Sequence, residues 1–358
     1  QAARKPLEEA RQYSVVRGAE LKKRAASYQT PGSPVFVGKW EESDEFGTFP
    51  VGSKPKRMLN CPEDVTEPFL IPGHAYLFKW AEGWQQFQIW SEVIAYRIAR
   101  VVGLDVPPCF LAVDEKADRA GALVELFYGY PDEGRSRRFV HASDILPLRD
   151  PKKGRPHNVR LNHESANRLG VRNYEDWWGS VLAFDALIGN TDRHPENWGF
   201  LFALPQDISI RPSTWIRLIP FLRNIETFAN TNFKVTLAPA FDNATSLGYE
   251  IRDGDLAKYM AADRLTAYID NGTHHCDWDP AQPKLRQHIE LCRRYLQAFP
   301  AAGKAMKSVL NFRQEDLESI LRDCTEFDVK LRFTVERAKF VSALIRERRR
   351  RLLALFEE

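Results

Sequence analysis

Apolar residues fall into two kinds of run along the chain, and the change between them divides it. Short apolar runs at 35–40, 75–80, 110–113 and 122–127, bounded by Pro, Gly and charged residues, have the composition of strands. Between the second and third, Ile89, Val93, Tyr96, Ile98 and Val101 recur near one broad face, which predicts a helix over 87–102 closed by Gly103. Residues 35–127 therefore read as mainly antiparallel β with one prominent helix, preceded by a charged helix over 4–27.

The second part has a different period. Residues 131–170, rich in Arg, Lys, Asp, Asn and Pro, read as connecting segments and short helices. From Tyr174 a strong helix carries Trp178, Val181, Leu182, Ala186 and Ile188. Runs at 198–203 and 235–238 predict two strands flanking a long insertion, 204–234. From 255 to 358 apolar stripes such as Leu285, Ile289, Cys292, Leu296 and Phe299 predict helix throughout. The expectation is an α+β chain of two lobes, β-rich over 1–127 and mainly helical over 128–358.

Composition narrows the class without choosing a partner. A chain of 358 residues with 44% hydrophobic content fills a core. A net charge of +3 and a pI near 8.5 are too mild to imply nucleic-acid binding, although they would suit an anionic ligand. Five scattered cysteines without a C-x-x-C pair point to neither a disulfide framework nor a zinc ribbon, and fit a reducing compartment. No apolar run approaches the roughly 20 residues that cross a bilayer, and the N-terminus is too charged for a secretion signal, so a cytoplasmic protein is expected. Because the first residue is Gln1, the natural start is expected to lie upstream.

The chemistry concentrates at 188–198. Asp192 and Asn197 are separated by four residues, the spacing by which a kinase catalytic loop handles the acceptor hydroxyl and holds a metal. Asp242, delivered by the later strand, is a second acid able to complete a magnesium site. Lys79 interrupts an apolar strand and must reach water or an anion, because burying its charge alone is costly. Glu92 follows it by thirteen residues, at the start of the helix, as in the lysine–glutamate pair that orients nucleotide phosphates. The stretch 47–58, with Gly52, Ser53, Lys54 and Lys56, suits phosphate oxygens but matches neither standard glycine-rich pattern. The basic runs at 152–160 and 346–351 read as solvated surface. The run from His274 to Asp277 has no second cluster to complete a zinc site.

In this order the sequence resembles the HipA-like serine/threonine protein kinases, bacterial enzymes often found as toxins of toxin–antitoxin systems. The resemblance spans about residues 35–345. It is carried by Val51-Gly-Ser-Lys-Pro-Lys56, Leu77-Phe-Lys79, residues 91–107, Gly189-Asn-Thr-Asp-Arg-His-Pro-Glu-Asn197 and Leu237-Ala-Pro-Ala-Phe-Asp242. It implies a two-lobed protein-kinase-like fold, with ATP and Mg2+ as cofactors, a protein substrate and an antitoxin-like partner. It further implies Asp192 as base or hydroxyl-orienting group, Asn197 and Asp242 as magnesium ligands, and Lys79 as phosphate neutraliser. Gly52 and Ser53 would approach the phosphates, Glu125 to Phe127 would lie near the adenine hinge, and His194 would order the loop or assist the phosphates. Two departures stand: Phe49-Pro-Val replaces the regulatory serine often found before the glycine, and the insertion at 204–234 is longer than expected. The Asp-Arg-His-x-x-Asn form also resembles phosphoinositide lipid kinases, which makes a lipid kinase the alternative, followed by a catalytically silent nucleotide-binding module.

Overall fold

The computed structural model describes residues 28–43, 55–131, 133, 137–203, 234–279, 281 and 283–357. The expected helix at 4–27, residues Gly52, Ser53 and Lys54, and nearly all of the insertion lie outside the described residues.

The N-terminal sheet has six strands: β1 (Val35–Phe36), β2 (Glu41–Glu42), β3 (Lys56–Asn60), β4 (Ala75–Lys79), β5 (Cys109–Asp114) and β6 (Arg119–Glu125), in spatial order β1-β5-β6-β4-β3-β2. All pairings are antiparallel except β1 with β5. Alternation along β4 sends Tyr76 and Phe78 to one face, where they join Leu59, Phe110 and Leu123 in a core. It sends Ala75, Leu77 and Lys79 to the other face, toward the second half of the chain.

Helix α1 (Gln88–Val102) packs on β5 and β6 and ends at Gly103 in the left-handed conformation. It is also tied to the far half: Trp90 Nε1 donates to the Leu331 carbonyl (2.9 Å) and Ser91 Oγ to the Ser246 carbonyl (2.7 Å). Glu92 is thereby carried on a helix anchored in both halves.

A second sheet, β7 (Arg137–His141), β8 (Gly199–Ala203) and β9 (Lys234–Leu237), is antiparallel in that order. Strand β7 corrects the expectation of connecting segments and short helices over 131–170. Its short charged sequence has no local strand signal, and its partner is distant in sequence, with Phe139 opposite Leu201.

Helices α2 (Ala142–Ile145) and α3 (Val159–Arg168) follow β7, and α4 (Tyr174–Ile188) runs through the core of the second half. Trp178, Val181, Leu182, Phe184 and Leu187 of α4 are buried against α7 (His288–Ala298), α8 (Gly303–Val309) and α10 (Val335–Ala354). Helices α5 (Leu256–Tyr259), α6 (Ala262–Asp270) and α9 (Gln314–Thr325) complete this half. Helix is not continuous from 255: residues 271–279 leave it and bridge to other segments, with Asn158 opposite Asp277 and Thr273 opposite Gln287.

The basic run at 346–351 is not all solvated either. Arg348 is buried and donates to the Ile188 carbonyl (2.9 Å) at the end of α4. Gly189 follows at φ +71°, and a Cβ there would lie 2.2 Å from the Arg348 guanidinium. The chain therefore leaves α4 through a glycine that both the backbone conformation and this arginine require. Among the described residues no helix is long and apolar enough to cross a membrane.

Candidate active site

Strand β4, helix α1 and the segment after β9 bring Lys79, Glu92 and Asp242 together. Lys79 Nζ lies 3.3 Å from Asp242 Oδ1 and 3.7 Å from Glu92 Oε1. Burial alone would favour the neutral amine, but Asp242 and then Glu92 hold Lys79 as the ammonium, above the usual lysine range. Lys56, directly opposite Lys79 across the β3–β4 ladder, stands beside it on the sheet. Asp242 has φ +57°, a left-handed backbone that Asp tolerates better than most residues.

The loop after α4 is shaped by its own side chains. Asn190 Oδ1 accepts from the Asp192 N–H (3.1 Å) and from Thr245 Oγ1 (3.0 Å), while Asn197 Nδ2 donates to the Asp192 carbonyl (2.7 Å). Asn197 is thus pinned within the loop, and the Asp192 carboxylate remains partly exposed. His194 Nδ1 accepts from the Glu196 N–H (3.2 Å), and its Nε2 lies 3.8 Å from Asp192 Oδ1.

Beneath the loop is a clamp that sequence reasoning missed. Asp185, fully buried on α4, accepts from Asn190 Nδ2 (3.0 Å), from Arg193 through Nη2 (2.8 Å) and Nε (3.0 Å), and from His274 Nε2 (2.9 Å). The Cys276 N–H donates to His274 Nδ1 (2.9 Å), which leaves the ring proton on Nε2, facing Asp185. Burial alone would raise the Asp185 carboxyl, but Arg193 and His274 hold it well below the usual carboxylate range. Arg193 also donates to the carbonyls of Asn197 (3.1 Å) and Phe241 and to Asn243 Oδ1 (2.6 Å). One buried guanidinium therefore joins the Asp192 loop to the Asp242 segment. The available signal was Asp185 itself, a carboxylate within the apolar run of α4, which burial requires to be paired.

The linker after β6 joins an apolar cluster between the two sheets. Met58 and Ala75 from the first sheet meet Leu201 of β8 and Ala238, just after β9, with Leu126, Leu77 and Phe127 alongside. Phe127 stacks on Phe241 (centroids 5.4 Å apart), the residue before Asp242. The Glu125 carboxylate accepts from Tyr76 (3.2 Å) and Tyr130 (3.0 Å) on the Tyr76 face of the sheet. The N–H groups of Glu125 and Leu126 and the Leu126 carbonyl are engaged by Pro108, Ala75 and His74.

Among the described residues no group of three His, Cys, Asp or Glu side chains is arranged to hold a metal. Asn197 and Asp242, whose segments Arg193 joins through the Asn197 and Phe241 carbonyls, each offer a hard oxygen donor. That set fits magnesium, which commonly takes one or two protein ligands and completes its shell with phosphate oxygens and water.

A β-sheet lobe set over a helical lobe, with a paired lysine and two polar loops between them, defines a two-lobed protein-kinase-like fold. The kinase CtkA of Helicobacter pylori, described as proinflammatory, superimposes with a TM-score of 0.61 at 16% identity, covering 91% of this chain and 99% of that one. HipA of Shewanella oneidensis MR-1, solved with HipB and operator DNA, gives 0.44 at 15% identity, with coverage of 87% and 66%. The Golgi casein kinase gives 0.36 at 12% identity, with coverage of 95% and 76%. At these identities the first likeness shows the fold, and the other two are too distant to add to it. No family model and no curated sequence matches the chain.

Proposed function

We propose that the chain is an ATP- and magnesium-dependent kinase that transfers the γ-phosphate to a serine or threonine hydroxyl of a protein. The observation that carries this reading is Lys79 within ion-pair reach of both Glu92 and Asp242, at 3.7 and 3.3 Å. That triad joins the three elements which phosphoryl transfer needs in register.

In this reading adenine lies beside the apolar cluster and meets the backbone beyond Leu126, where Phe127 lies. Lys79, oriented by Glu92, neutralises the α- and β-phosphates. Asn197 and Asp242 would hold the magnesium ion, which supplies charge neutralisation on the phosphate oxygens. The acceptor oxygen attacks the γ-phosphorus and forms the new P–O bond. The bond to the bridging oxygen breaks, its electron pair leaves on ADP, and the hydroxyl proton passes to the Asp192 carboxylate.

Phosphoproteomics after controlled expression, with Asp192→Asn as control, tests this reading. New phosphoserine or phosphothreonine sites are expected with the unaltered chain and not with the variant. Identical phosphosite patterns for the two would sink the assignment.

A further inference from the structure

Beside the loop that carries Asp192 lies a cavity of about 460 Å³, within the size range of ligand sites. Asp192 and His194 line it, and neither Lys79 nor Asp242 does. It therefore meets the loop at Asp192, away from Lys79 and Asp242, which in the kinase reading face the nucleotide phosphates. Its other wall is the turn Pro151–Lys153, followed by Gly154 and Arg155, part of the basic run that the sequence assigned to solvated surface.

The turn is built, and it is seated on the catalytic loop. The Asp150 carboxylate accepts from the Lys153 N–H (3.2 Å), the Arg155 N–H donates to the Asp150 carbonyl (3.0 Å), and Arg155 pairs with Asp277 at 2.5 Å. His157, which accepts at Nε2 from Trp198 (3.3 Å), lies Nδ1 to Nδ1 against His275 at 3.1 Å behind it. Gly154 is at φ +58°, and a Cβ there would come within 2.7 Å of Pro195 Cδ. Lys152 and Lys153 are exposed at the mouth, and Lys153 Nζ lies 3.8 Å from the Asp150 carboxylate. Burial and the neighbouring Arg155 hold the His275 ring down at about 3, so it adds no charge.

We infer that this turn is an acceptor-side subsite, in which Lys152 and Lys153 receive an acidic side chain flanking the acceptor hydroxyl in a polypeptide. The inference rests on the kinase reading and names its substrate class. The lining carries Lys152, Lys153 and Arg155 against Asp192 and Glu196. Such a mixed surface suits one discrete carboxylate in an extended chain, whereas anionic lipid recruits clusters of about four to eight basic residues. The two carboxylates also disfavour anions placed anywhere but at the lysines.

The test uses the full chain, magnesium and ATP, with paired serine peptides that differ only in Glu or Ala around the acceptor. The ratio of kcat/KM values, acidic over neutral, should be roughly two to thirty, the range that two exposed ion pairs supply. It should fall toward one in Lys152→Ala/Lys153→Ala and be retained in Lys152→Arg/Lys153→Arg. A ratio near one for the unaltered chain, a ratio untouched by the double alanine change, or transfer to phosphoinositide vesicles alone would overturn the subsite. Fluorescence anisotropy of the same labelled peptides without nucleotide separates the two levels. Acidic-peptide binding that needs the lysines, with no ATP turnover, would leave the turn an acidic-peptide site but remove the kinase reading and, with it, the acceptor role. Equal binding of both peptides would remove the subsite.

Discussion

Two clusters of opposite charge lie close together in this molecule, and they are built to different standards. In the cleft, Lys79 meets Asp242 and Glu92 at 3.3 and 3.7 Å, with 28% of the Asp242 side chain exposed. Beneath the Asp192 loop, Asp185, Arg193 and His274 meet at 2.8 to 3.0 Å, with no more than 1% of any side chain exposed. Asp185 accepts from four donor groups, which uses the whole acceptor capacity of a carboxylate. The clamp is saturated and can only hold. The Lys79 cluster instead keeps part of the Asp242 side chain accessible to solvent.

The contrast breaks most sharply at Arg193. Arg193→Met leaves Asp185 buried without its main counter-charge and should cost about 3–5 kcal/mol in urea denaturation. A loss below about 1 kcal/mol would show that the clamp is not structural. His274→Ala removes one of the four donors and should cost about 1–3 kcal/mol.

Acidification probes the same region. Burial, with the neighbouring His274, holds His288 down at about 3, and its Nε2 lies 2.8 Å from the Asn190 carbonyl. Its folded value is below the unfolded one, so its contribution is complete above about pH 6.5 and declines as pH falls toward 3. Stability should therefore drop by up to about 2 kcal/mol between pH 7 and pH 5 for such a histidine. Asp185 adds no slope in that window, because its contribution is lost only as pH falls below the unfolded carboxylate value of about 4. A denaturation midpoint flat from pH 7 to 5 would contradict a neutral buried His288.

The smallest stability effect belongs to the cleft. Asp242→Asn should change unfolding free energy by less than about 1 kcal/mol, since its pair with Lys79 is partly exposed. The same change should weaken magnesium–nucleotide binding more than adenosine binding, measured by calorimetry. Equal losses for the two ligands would make Asp242 a structural residue.

The sequence disclosed what local pattern encodes. The period of α1, its closing Gly103, the strand carrying Lys79 and the helix leading to Asn190 all lie close to where the pattern put them. The pairing of Lys79 with Glu92 was legible because a charge inside an apolar strand demands a partner. Strand β7, the Asp185 clamp and the seat of the basic turn on Pro195 were not. Each depends on contacts between segments far apart in the chain: the apolar run around Asp185 shows that the carboxylate needs a partner, but not that Arg193 and His274 supply it. Arg193 shows the limit well: it stood inside the most informative motif, yet its role is defined by Asp185, Phe241 and Asn243 together.

The most direct test of the central claim is a single-turnover assay with γ-labelled ATP, magnesium and a serine-containing protein acceptor. Label should move to the acceptor with the unaltered chain, and fall by about 10²–10⁴-fold in Asp192→Asn while the folded state persists. Absence of transfer to protein, lipid or water at high enzyme concentration, or transfer undiminished in Asp192→Asn, would contradict it.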